Sequence, residues 1–347
     1  MIRTVKELAA GATHFSGLAV PVRHITRSKI PILTYHSIGT SEGDTPSCLD
    51  LTWMRVAPEE FRAQMEYVAK HYNTVTFKEI QQAGSRQSSL PSHPCVITFD
   101  DGYMDAYEKA VPVLKELGLK ATFFIIGRPT VTQELPWLHT VHQILVSNNF
   151  LQCAAVFRKA APSFFPMEPV TKGVLCELVW RYFLEEERSA RQRFLDVVRR
   201  GLGDRINATY RLMRECHVKE LYASGFEIGC HSMDHEYMTL LSCNDLRQDI
   251  RQCRQTLADL TGDVSNLFCY PFGAFNSQIM ETLKQEGFAF ACTTRSRLND
   301  LSTNPLALNR IGVYTYTTFP LFVFRLVGLE AWARASYKFM RSFVGGD

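Results

Sequence analysis

Short apolar, β-prone runs alternate with helical patterns along most of this chain, and polar residues follow most of the runs. The first run covers residues 30–35, and others cover residues 95–99, 121–126, 225–229 and 267–270. Neighbouring parallel strands need long crossover connections, which are usually helices. The alternation therefore predicts an α/β fold with a parallel sheet, either barrel-like or doubly wound.

One stretch, from about residue 131 to 220, departs from this alternation. It is rich in Arg, Glu, Leu and Phe at helical spacing and carries few strand signals. We predict a helical insertion within one catalytic domain over residues 30–318. A helical segment, residues 1–29, precedes that domain, and an amphipathic helix, residues 319–347, follows it. The last segment mixes aromatic and basic residues, which fits a packing helix or a helix lying on a membrane surface.

The composition excludes some partners and indicates a compartment. A formal net charge of +3, from 38 Lys and Arg against 35 Asp and Glu, gives no concentrated basic face, so we expect no nucleic-acid partner. Ten scattered cysteines without a C-x-x-C pair indicate reduced thiols. We recognise no secretory signal and no apolar run of about 18 residues. We therefore expect a cytoplasmic protein that contacts the inner face of the membrane peripherally, if at all, through its final segment.

Two adjacent carboxylates, Asp100 and Asp101, directly follow a buried strand. Carboxylates seldom occupy such a position unless they are paired, cap a helix or bind a cation. Adjacent side chains diverge, so one can bind a metal while the other transfers a proton. The C-terminal end of a strand is also where α/β barrels place their active sites. Taken alone, Asp-Asp-Gly is more often a turn with a helix cap.

Two histidines four residues apart, His231 and His235, follow another strand-like run. This spacing allows both rings to bind one cation. Two histidines and one aspartate leave coordination positions open on a zinc-type ion, as in catalytic sites. His139 and His142 lie in the insertion without a nearby carboxylate, and we interpret them as solvated or packed.

A third element, Tyr270, Pro271, Phe272 and Gly273, also follows a strand. Proline and glycine fix a tight turn that can aim a backbone N–H into a site, as an oxyanion donor requires. We predict that these four residues contact the substrate.

Together these elements resemble the polysaccharide deacetylases with a NodB-homology domain, carbohydrate esterase family 4. Residues 98–102 resemble the family's first motif, residues 225–235 its second and residues 268–273 its third. Residues 35–38 and 308–311 resemble a branch associated with surface-polysaccharide biosynthesis. The resemblance covers about residues 31–315, apart from the insertion.

This resemblance implies a deformed (β/α) barrel of the NodB-homology type, here with the helical insertion. It implies a divalent metal, most often Zn²⁺, held by Asp101, His231 and His235, with Asp100 as the general base. The metal and the backbone N–H of Phe272 would stabilise the oxyanion.

Two positions depart from the family pattern. The third motif usually carries an arginine that orients the base, and here Cys269 occupies that position. The fifth motif usually supplies a histidine acid after a leucine, but here Asn309 follows Leu308. We predict that Arg310 replaces the missing arginine beside Asp100, the alternative being a surface arginine. For His36 three roles stay open: the missing acid, a residue that holds the site in shape, or none in the active site.

The predicted function is metal-dependent removal of an N-acyl group, which the family resemblance implies is acetyl, from an amino sugar in a polysaccharide or its lipid-linked precursor. Two alternatives remain. One is a hydrolase of the same fold acting on another amide, such as a formamido sugar or a cyclic amide, and the other is a non-catalytic sugar-binding relative.

Overall fold

A computed structural model describes residues 19–40, 51–85, 87–202 and 210–330 of the chain. The strands are β1 (Ile32–Tyr35), β2 (Ser37–Ile38), β3 (Arg55–Val56), β4 (Asn73–Thr74), β5 (Pro94–Phe99), β6 (Thr122–Ile125), β7 (Glu227–Cys230), β8 (Leu267–Cys269), β9 (Phe290–Cys292) and β10 (Ile311–Gly312).

The helices lie between these strands and in two longer segments. In chain order they are α1 (Ala19–Ile25), α2 (Pro58–His71), α3 (Phe77–Gly84), α4 (Val111–Glu116), α5 (Gly127–Thr132), α6 (Trp137–Ser147), α7 (Phe150–Ala160), α8 (Lys172–Glu185), α9 (Arg188–Leu202), α10 (Glu215–Ala223), α11 (Cys243–Thr261), α12 (Ser277–Gln285) and α13 (Phe319–Leu326). A π-helical turn, Ala106–Ala110, leads into α4.

The main sheet is parallel, with its strands in the order β10-β1-β5-β6-β7-β8-β9, and β4 pairs with β5. Register is fixed by pairs such as Leu33 with Ile97 and Phe123 with Ile228. Because all these strands run in one direction, their C-terminal ends meet at one edge. The predicted α/β barrel-like fold is confirmed.

The segment from residue 308 to 312 contacts β9 at its start and β1 at its end. Leu308 forms a parallel bridge with Cys292 at the end of β9. A few residues later, Ile311 and Gly312 pair with Leu33 and Thr34 of β1. The chain therefore crosses the gap between β9 and β1, and Arg310 lies inside that crossing.

The barrel core is apolar, as the sequence pattern predicts. Helix α2 turns Phe61, Met65 and Val68 into it, and all three side chains are fully buried. The rings of Phe99 and Phe123, on neighbouring strands, stack at 4.8 Å. These contacts hold the strand ends, and therefore the site, on a rigid base.

The segment predicted as a helical insertion contains α6 to α9, which have their own apolar core. Its predicted end, near residue 220, is wrong. Residues 210–213 already lie on the barrel, since the Met213 N–H bonds the carbonyl of Gly102 at 2.8 Å. Helix α10 follows, and its Val218 and Leu221, three residues apart on one face, are buried in the barrel core.

The two predicted terminal segments are described only in part. Of residues 1–29, those from 1 to 18 lie outside the described residues, and α1 occupies 19–25. Of residues 319–347, the description ends at 330. Helix α13 buries Phe322, Val323 and Leu326 in the barrel core, so this portion packs against the protein and is not available to a membrane. Among the described residues, no helix has the length and apolar character needed to cross a bilayer.

Candidate active site

Asp101, His231 and His235 converge at the C-terminal edge of the sheet. The Nε2 atoms of His231 and His235 lie 3.2 and 3.3 Å from Oδ1 of Asp101, and all three residues are buried. This oxygen has no hydrogen-bond partner among the described residues, so neither ring meets it with hydrogen-bond geometry. Two imidazole nitrogens and a carboxylate oxygen facing one point are a fitting donor set for a zinc-type ion.

Local backbone and outer contacts orient these donors. Asp101 has a φ of 69° and His235 a φ of 54°, both in the left-handed region that L-residues rarely adopt. Nδ1 of His231 lies 2.9 Å from the carbonyl oxygen of Cys269, which leaves Nε2 to face Asp101. The backbone N–H of His235 donates to Oγ of Ser232 at 2.8 Å, closing the loop between the two histidines.

Asp100, the neighbouring carboxylate, is held by Arg310. Nη1 and Nη2 of the guanidinium donate to Oδ1 and Oδ2 at 2.8 and 2.7 Å, a bidentate pair. Arg310 is 2% exposed, so the alternative of a surface arginine is wrong. Burial alone would raise the pKa of Asp100, but the charge and hydrogen bonds of Arg310, followed by His231, lower it below its usual value.

Cys269 occupies the position from which the family's arginine normally acts. Its Sγ lies 3.5 Å from Oδ2 of Asp100 and accepts a hydrogen bond from Nη2 of Arg310 at 3.1 Å. The guanidinium also donates to the carbonyl oxygen of Thr293 through Nε at 2.9 Å. Because cysteine is small, it leaves space beside Asp100, and the guanidinium of Arg310 fills that space from another segment of the chain.

A second donor group, Asp100, His231 and Cys269, overlaps the first. The guanidinium of Arg310 contacts both Asp100 and Cys269, and a cation placed there would meet its positive charge. Nδ1 of His231 is already bonded to a carbonyl. Of the two groups, the one containing Asp101 is therefore better suited to a metal.

His36 lies beside the base, at the end of β1. Its Nε2 is 3.9 Å from Oδ2 of Asp100, and its side chain is 15% exposed, so it borders the site. Burial lowers the pKa of His36, and the nearby Asp101 and Asp100 offset this only in part. A neutral imidazole at neutral pH fits a residue that holds the base in place better than one that already carries the proton to be donated.

The turn after β8 contains two buried residues, Tyr270 and Pro271, and two partly exposed residues, Phe272 and Gly273. Phe272 has a φ of 58°, and its ring centroid lies 4.6 Å from that of His235. Tyr270, predicted to contact the substrate, is 1% exposed and donates its hydroxyl to the carbonyl oxygen of Leu306 at 2.8 Å. Pro271 is also buried. The side chains of Tyr270 and Pro271 therefore offer little surface to a substrate, whereas Phe272 and Gly273 are partly exposed. Contact of this turn with the substrate stays a prediction.

Comparisons with known proteins agree with this geometry. The sequence profile described as polysaccharide deacetylase matches residues 87–154 and 201–291, which include both carboxylates, both histidines and the turn of Phe272. YxkH of Bacillus subtilis (strain 168), whose name places it among these deacetylases, is 24% identical over 288 residues, covering 82% of this chain and 72% of the relative. The chain is therefore similar to the polysaccharide deacetylases over the segments that carry the site.

Solved structures of deacetylases share the fold. The deacetylase PplD of Streptococcus pyogenes, solved in complex with acetate, superposes with a TM-score of 0.58 at 17% identity, over 87% of this chain and 99% of that one. A de-N-acetylase of Aggregatibacter actinomycetemcomitans gives a TM-score of 0.51 at 16% identity, over 84% and 98%. The profile match and the similarity to YxkH indicate an enzyme, a deacetylase that hydrolyses an amide.

In this protein the helical insertion forms one wall of the site. Phe272 stacks on Tyr237, with centroids 4.0 Å apart and planes 6° from parallel. Trp137 of α6 and Trp180 of α8 approach the Phe272 ring at 6.2 and 6.1 Å. Trp137 in turn stacks on Phe183 at 4.2 Å. The insertion therefore fixes the turn that carries the predicted oxyanion donor.

One contact between the insertion and the site, that of His139 with Tyr103, was missed at the level of sequence. His139 is packed, one of the two alternatives predicted for it, but its Nε2 lies 2.6 Å from the hydroxyl of Tyr103. Tyr103 lies two residues after Asp101, so α6 contacts the segment that carries the proposed metal ligand. Burial lowers the pKa of His139 to about 3, and the negative charge of Asp101 only partly offsets this, so the ring is neutral. No local signal connects residues 36 positions apart.

Proposed function

We propose that this deacetylase removes an N-acyl group, acetyl in the first instance, from an amino sugar within a polysaccharide or its lipid-linked precursor. The observation that carries the proposal is the pair of adjacent carboxylates with separate environments. Asp101 faces two histidine nitrogens, whereas Asp100 faces Arg310. One carboxylate is thus placed to bind a cation and the other to transfer a proton.

Asp101, His231 and His235 would hold the metal, and Zn²⁺ is the ion we propose. A divalent ion there supplies Lewis-acid polarisation of the amide carbonyl and lowers the pKa of water. The proposal is supported by the orphaned Oδ1 of Asp101, which the two ring nitrogens approach without hydrogen bonding. The contact between Nδ1 of His231 and the carbonyl oxygen of Cys269 also supports it, because this contact orients the ring so that Nε2 is free to bind the ion.

Asp100 acts as the general base in this proposal. Its lowered pKa keeps it ionised at neutral pH, so it can take a proton from the attacking water. The bidentate contact with Arg310 holds both oxygens in a fixed plane. Arg310 is thus a positioning residue for the base, and it lies in the segment that runs from the Leu308 bridge with β9 to β10.

The backbone N–H of Phe272 would donate to the oxyanion that forms as water adds to the carbonyl carbon. The left-handed backbone at Phe272 sets the direction of this turn. His36, 3.9 Å from Asp100, would help to hold the base, and the proton that Asp100 takes from water would be returned to the leaving amine. Collapse of the intermediate would release the carboxylic acid and a free amine.

We also propose that the protein acts in the cytoplasm, on a precursor held at the inner face of the membrane. The nine described cysteines are all free, and most are buried, which fits a reducing compartment. We propose that residues after 330 make the membrane contact, because α13, the described part of the final segment, is packed on the barrel. Fractionation of cells that express the full chain and a chain ending at residue 330 would test this: equal membrane association of the two would refute that contact.

Mass spectrometry tests the reaction itself. Purified protein is incubated with N-acetylated glycans and with lipid-linked amino sugars, with and without a chelator and with Zn²⁺ added back. The expected result is paired release of acetate and a free amine, lost with chelator and restored by the metal. Release that is insensitive to the chelator would refute the metal-dependent mechanism, and no release from any amino sugar would refute the substrate class.

A further inference from the structure

The loop that carries both histidines has a backbone that its own residues do not favour. Residues 231–236, which we call the histidine loop, directly follow β7 and contain two of the three proposed metal ligands. Ser232 and His235 have φ values of 60° and 54°, both in the left-handed region. Non-glycine residues keep this conformation when surrounding contacts hold them in it. Contacts from outside the loop therefore determine where its ligands point.

The two histidine rings are held in different ways. Nδ1 of His231 lies 2.9 Å from the carbonyl oxygen of Cys269. Nδ1 of His235 is buried and has no hydrogen-bond partner among the described residues. A histidine that binds a metal usually donates its second ring N–H to a neighbour, and this bond orients the ring. Without such a bond, the direction of the His235 ring depends on the backbone around it and on its packing against Phe272.

The helical insertion holds the backbone next to His235. Glu236 directly follows this histidine, and its Oε2 lies 2.9 Å from Nη2 of Arg191 on α9. Both residues are buried, with 4% of Arg191 and 9% of Glu236 exposed. Oε2 makes no hydrogen bond to the described residues, so the contact is an ion pair. Because Nη1 of Arg191 also donates to the carbonyl oxygen of Phe183 at 3.0 Å, this arginine links the histidine loop to the last turn of α8.

A second ionic contact reaches the histidine loop between its two histidines. Asp234 pairs with Arg188 of α9 and with Arg128 of α5, whose Nη2 lies 3.2 Å from Oδ2 of Asp234. The side chains of Arg188 and Arg128 are 43% and 40% exposed. Water and salt screen exposed pairs, so these two contribute little. The pair of Arg191 and Glu236 is excluded from water, so breaking it disturbs the loop more.

We propose that Arg191 is a positioning residue for the metal site. Through Glu236 it keeps His235 directed at the ion, so the helical insertion controls how tightly the protein holds a divalent metal. This rests on the proposed function, because it concerns the metal assigned to Asp101, His231 and His235. A shift of the backbone at Glu236 turns the ring of His235, which no hydrogen bond to the described residues fixes. The ion then has one badly directed donor among its three, and it is bound less tightly.

Metal affinity is the readout, measured on the full chain. The metal-free protein is titrated with Zn²⁺ in competition with a chromophoric chelator. Arg191→Met should weaken Zn²⁺ binding by roughly 10–100-fold, as expected when an outer contact of a metal ligand is lost. Arg191→Lys keeps a positive charge beside Glu236 and should restore part of this loss. The visible spectrum of the Co²⁺-loaded protein should also change in Arg191→Met, because the arrangement of donors around the ion changes.

Two further variants separate positioning from stability. Arg181→Met breaks a surface pair with Glu185, 3.0 Å apart on α8 and away from the histidine loop, and should leave the Zn²⁺ affinity and the Co²⁺ spectrum unchanged. Arg191→Met leaves the Glu236 carboxylate buried without its partner, and Glu236→Gln in the same chain removes that charge. Urea denaturation of the metal-free double variant should show stability recovered toward the wild type, while its Zn²⁺ affinity stays reduced.

The outcomes distinguish this inference from the proposed function. If the wild type binds Zn²⁺ more tightly than the double variant but releases no amine from any amino sugar, the proposed function fails and the role of Arg191 stands. Equal Zn²⁺ affinity in the wild type and Arg191→Met would overturn the inference, as would an affinity that recovers together with stability in the double variant. Absence of Zn²⁺ binding by the wild type would overturn both the metal site and the inference.

Discussion

The strand-end site and the helical insertion meet at Phe272, and they contribute to the site in different ways. Strands β5 and β7 present Asp100, Asp101 and His231 directly from their C-terminal ends. The insertion contributes no proposed ligand, and it reaches the site through packing of Trp137 and Trp180 on Phe272. Side chains at strand ends are positioned by the sheet's register, whereas those of the insertion depend on long-range packing. Chemistry therefore resides in the barrel, and the insertion shapes what the barrel can bind.

The first prediction compares one histidine from each region. His235→Ala should remove the bound metal and reduce turnover by more than the roughly 10–100-fold typical of losing an outer contact of a metal ligand. His139→Ala, which removes the contact with Tyr103, should retain the metal. Elemental analysis of the purified variants measures this. Metal lost equally from both variants would mean that the insertion belongs to the metal site.

The second prediction concerns the buried pair of Asp100 and Arg310. Arg310→Met leaves the carboxylate buried and uncompensated, so the free energy of unfolding should fall by about 3–5 kcal/mol. Asp100→Asn combined with Arg310→Met should regain most of this stability but no activity. Urea denaturation of the single and double variants is the measurement. An unchanged stability in Arg310→Met would show that the pair is not formed.

The third prediction addresses the wall. Tyr237→Ala removes the ring stacked on Phe272, so kcat/KM should fall by about three- to tenfold while metal content is unchanged. Tyr237→Phe preserves the stack and serves as the control. If Tyr237→Ala also lost the metal, the wall and the metal site could not be treated separately.

The fourth prediction is a small pH effect next to the histidine loop. Asp249 accepts a hydrogen bond from the Met233 N–H at 2.9 Å, and burial is the main cause that raises its pKa to about 7. Asp234 raises this pKa further, and Arg188 lowers it. An unfolded aspartate titrates near about 3.9. The folded state therefore binds the proton more tightly, and this contribution to stability is lost as the pH rises through about 7.

Asp249→Asn removes that titration and keeps an oxygen for the Met233 N–H. The variant should therefore gain melting temperature relative to the wild type above about pH 7, and the difference should shrink toward pH 5. Thermal melts across this range measure it. A difference that does not vary with pH would mean that Asp249 stays ionised or stays protonated throughout.

Much of the site could be predicted because its residues are close in sequence to strand ends. Asp100 and Asp101 follow β5, and His231 and His235 follow β7, so periodicity and spacing were enough to place them. Arg310 was predicted from the family resemblance, which leaves the arginine of the third motif unfilled, and from its position just after the strand-like residues 307–308. The structure explains why Arg310 reaches Asp100. Residues 308–312 run from β9 to β1, and this path places the guanidinium beside the carboxylate at the end of β5.

The remaining features depend on contacts that sequence spacing does not encode. Tyr270 belongs to a motif, but its ring turns into the core and its hydroxyl finds the carbonyl of Leu306, 36 positions away. Helix α10 was assigned to the insertion because its composition continues the helical pattern there. Only its buried face, with Val218 and Leu221, shows that it belongs to the barrel.

Metal content measured together with amine release in Asp100→Asn and Asp101→Asn tests the division of roles most directly. Asp100→Asn should retain about one divalent ion per chain and lose turnover by about 10²–10⁴-fold, as expected for a general base. Asp101→Asn should lose both the ion and the turnover. Loss of metal from Asp100→Asn in step with its activity, or full metal content in Asp101→Asn, would contradict the assignment.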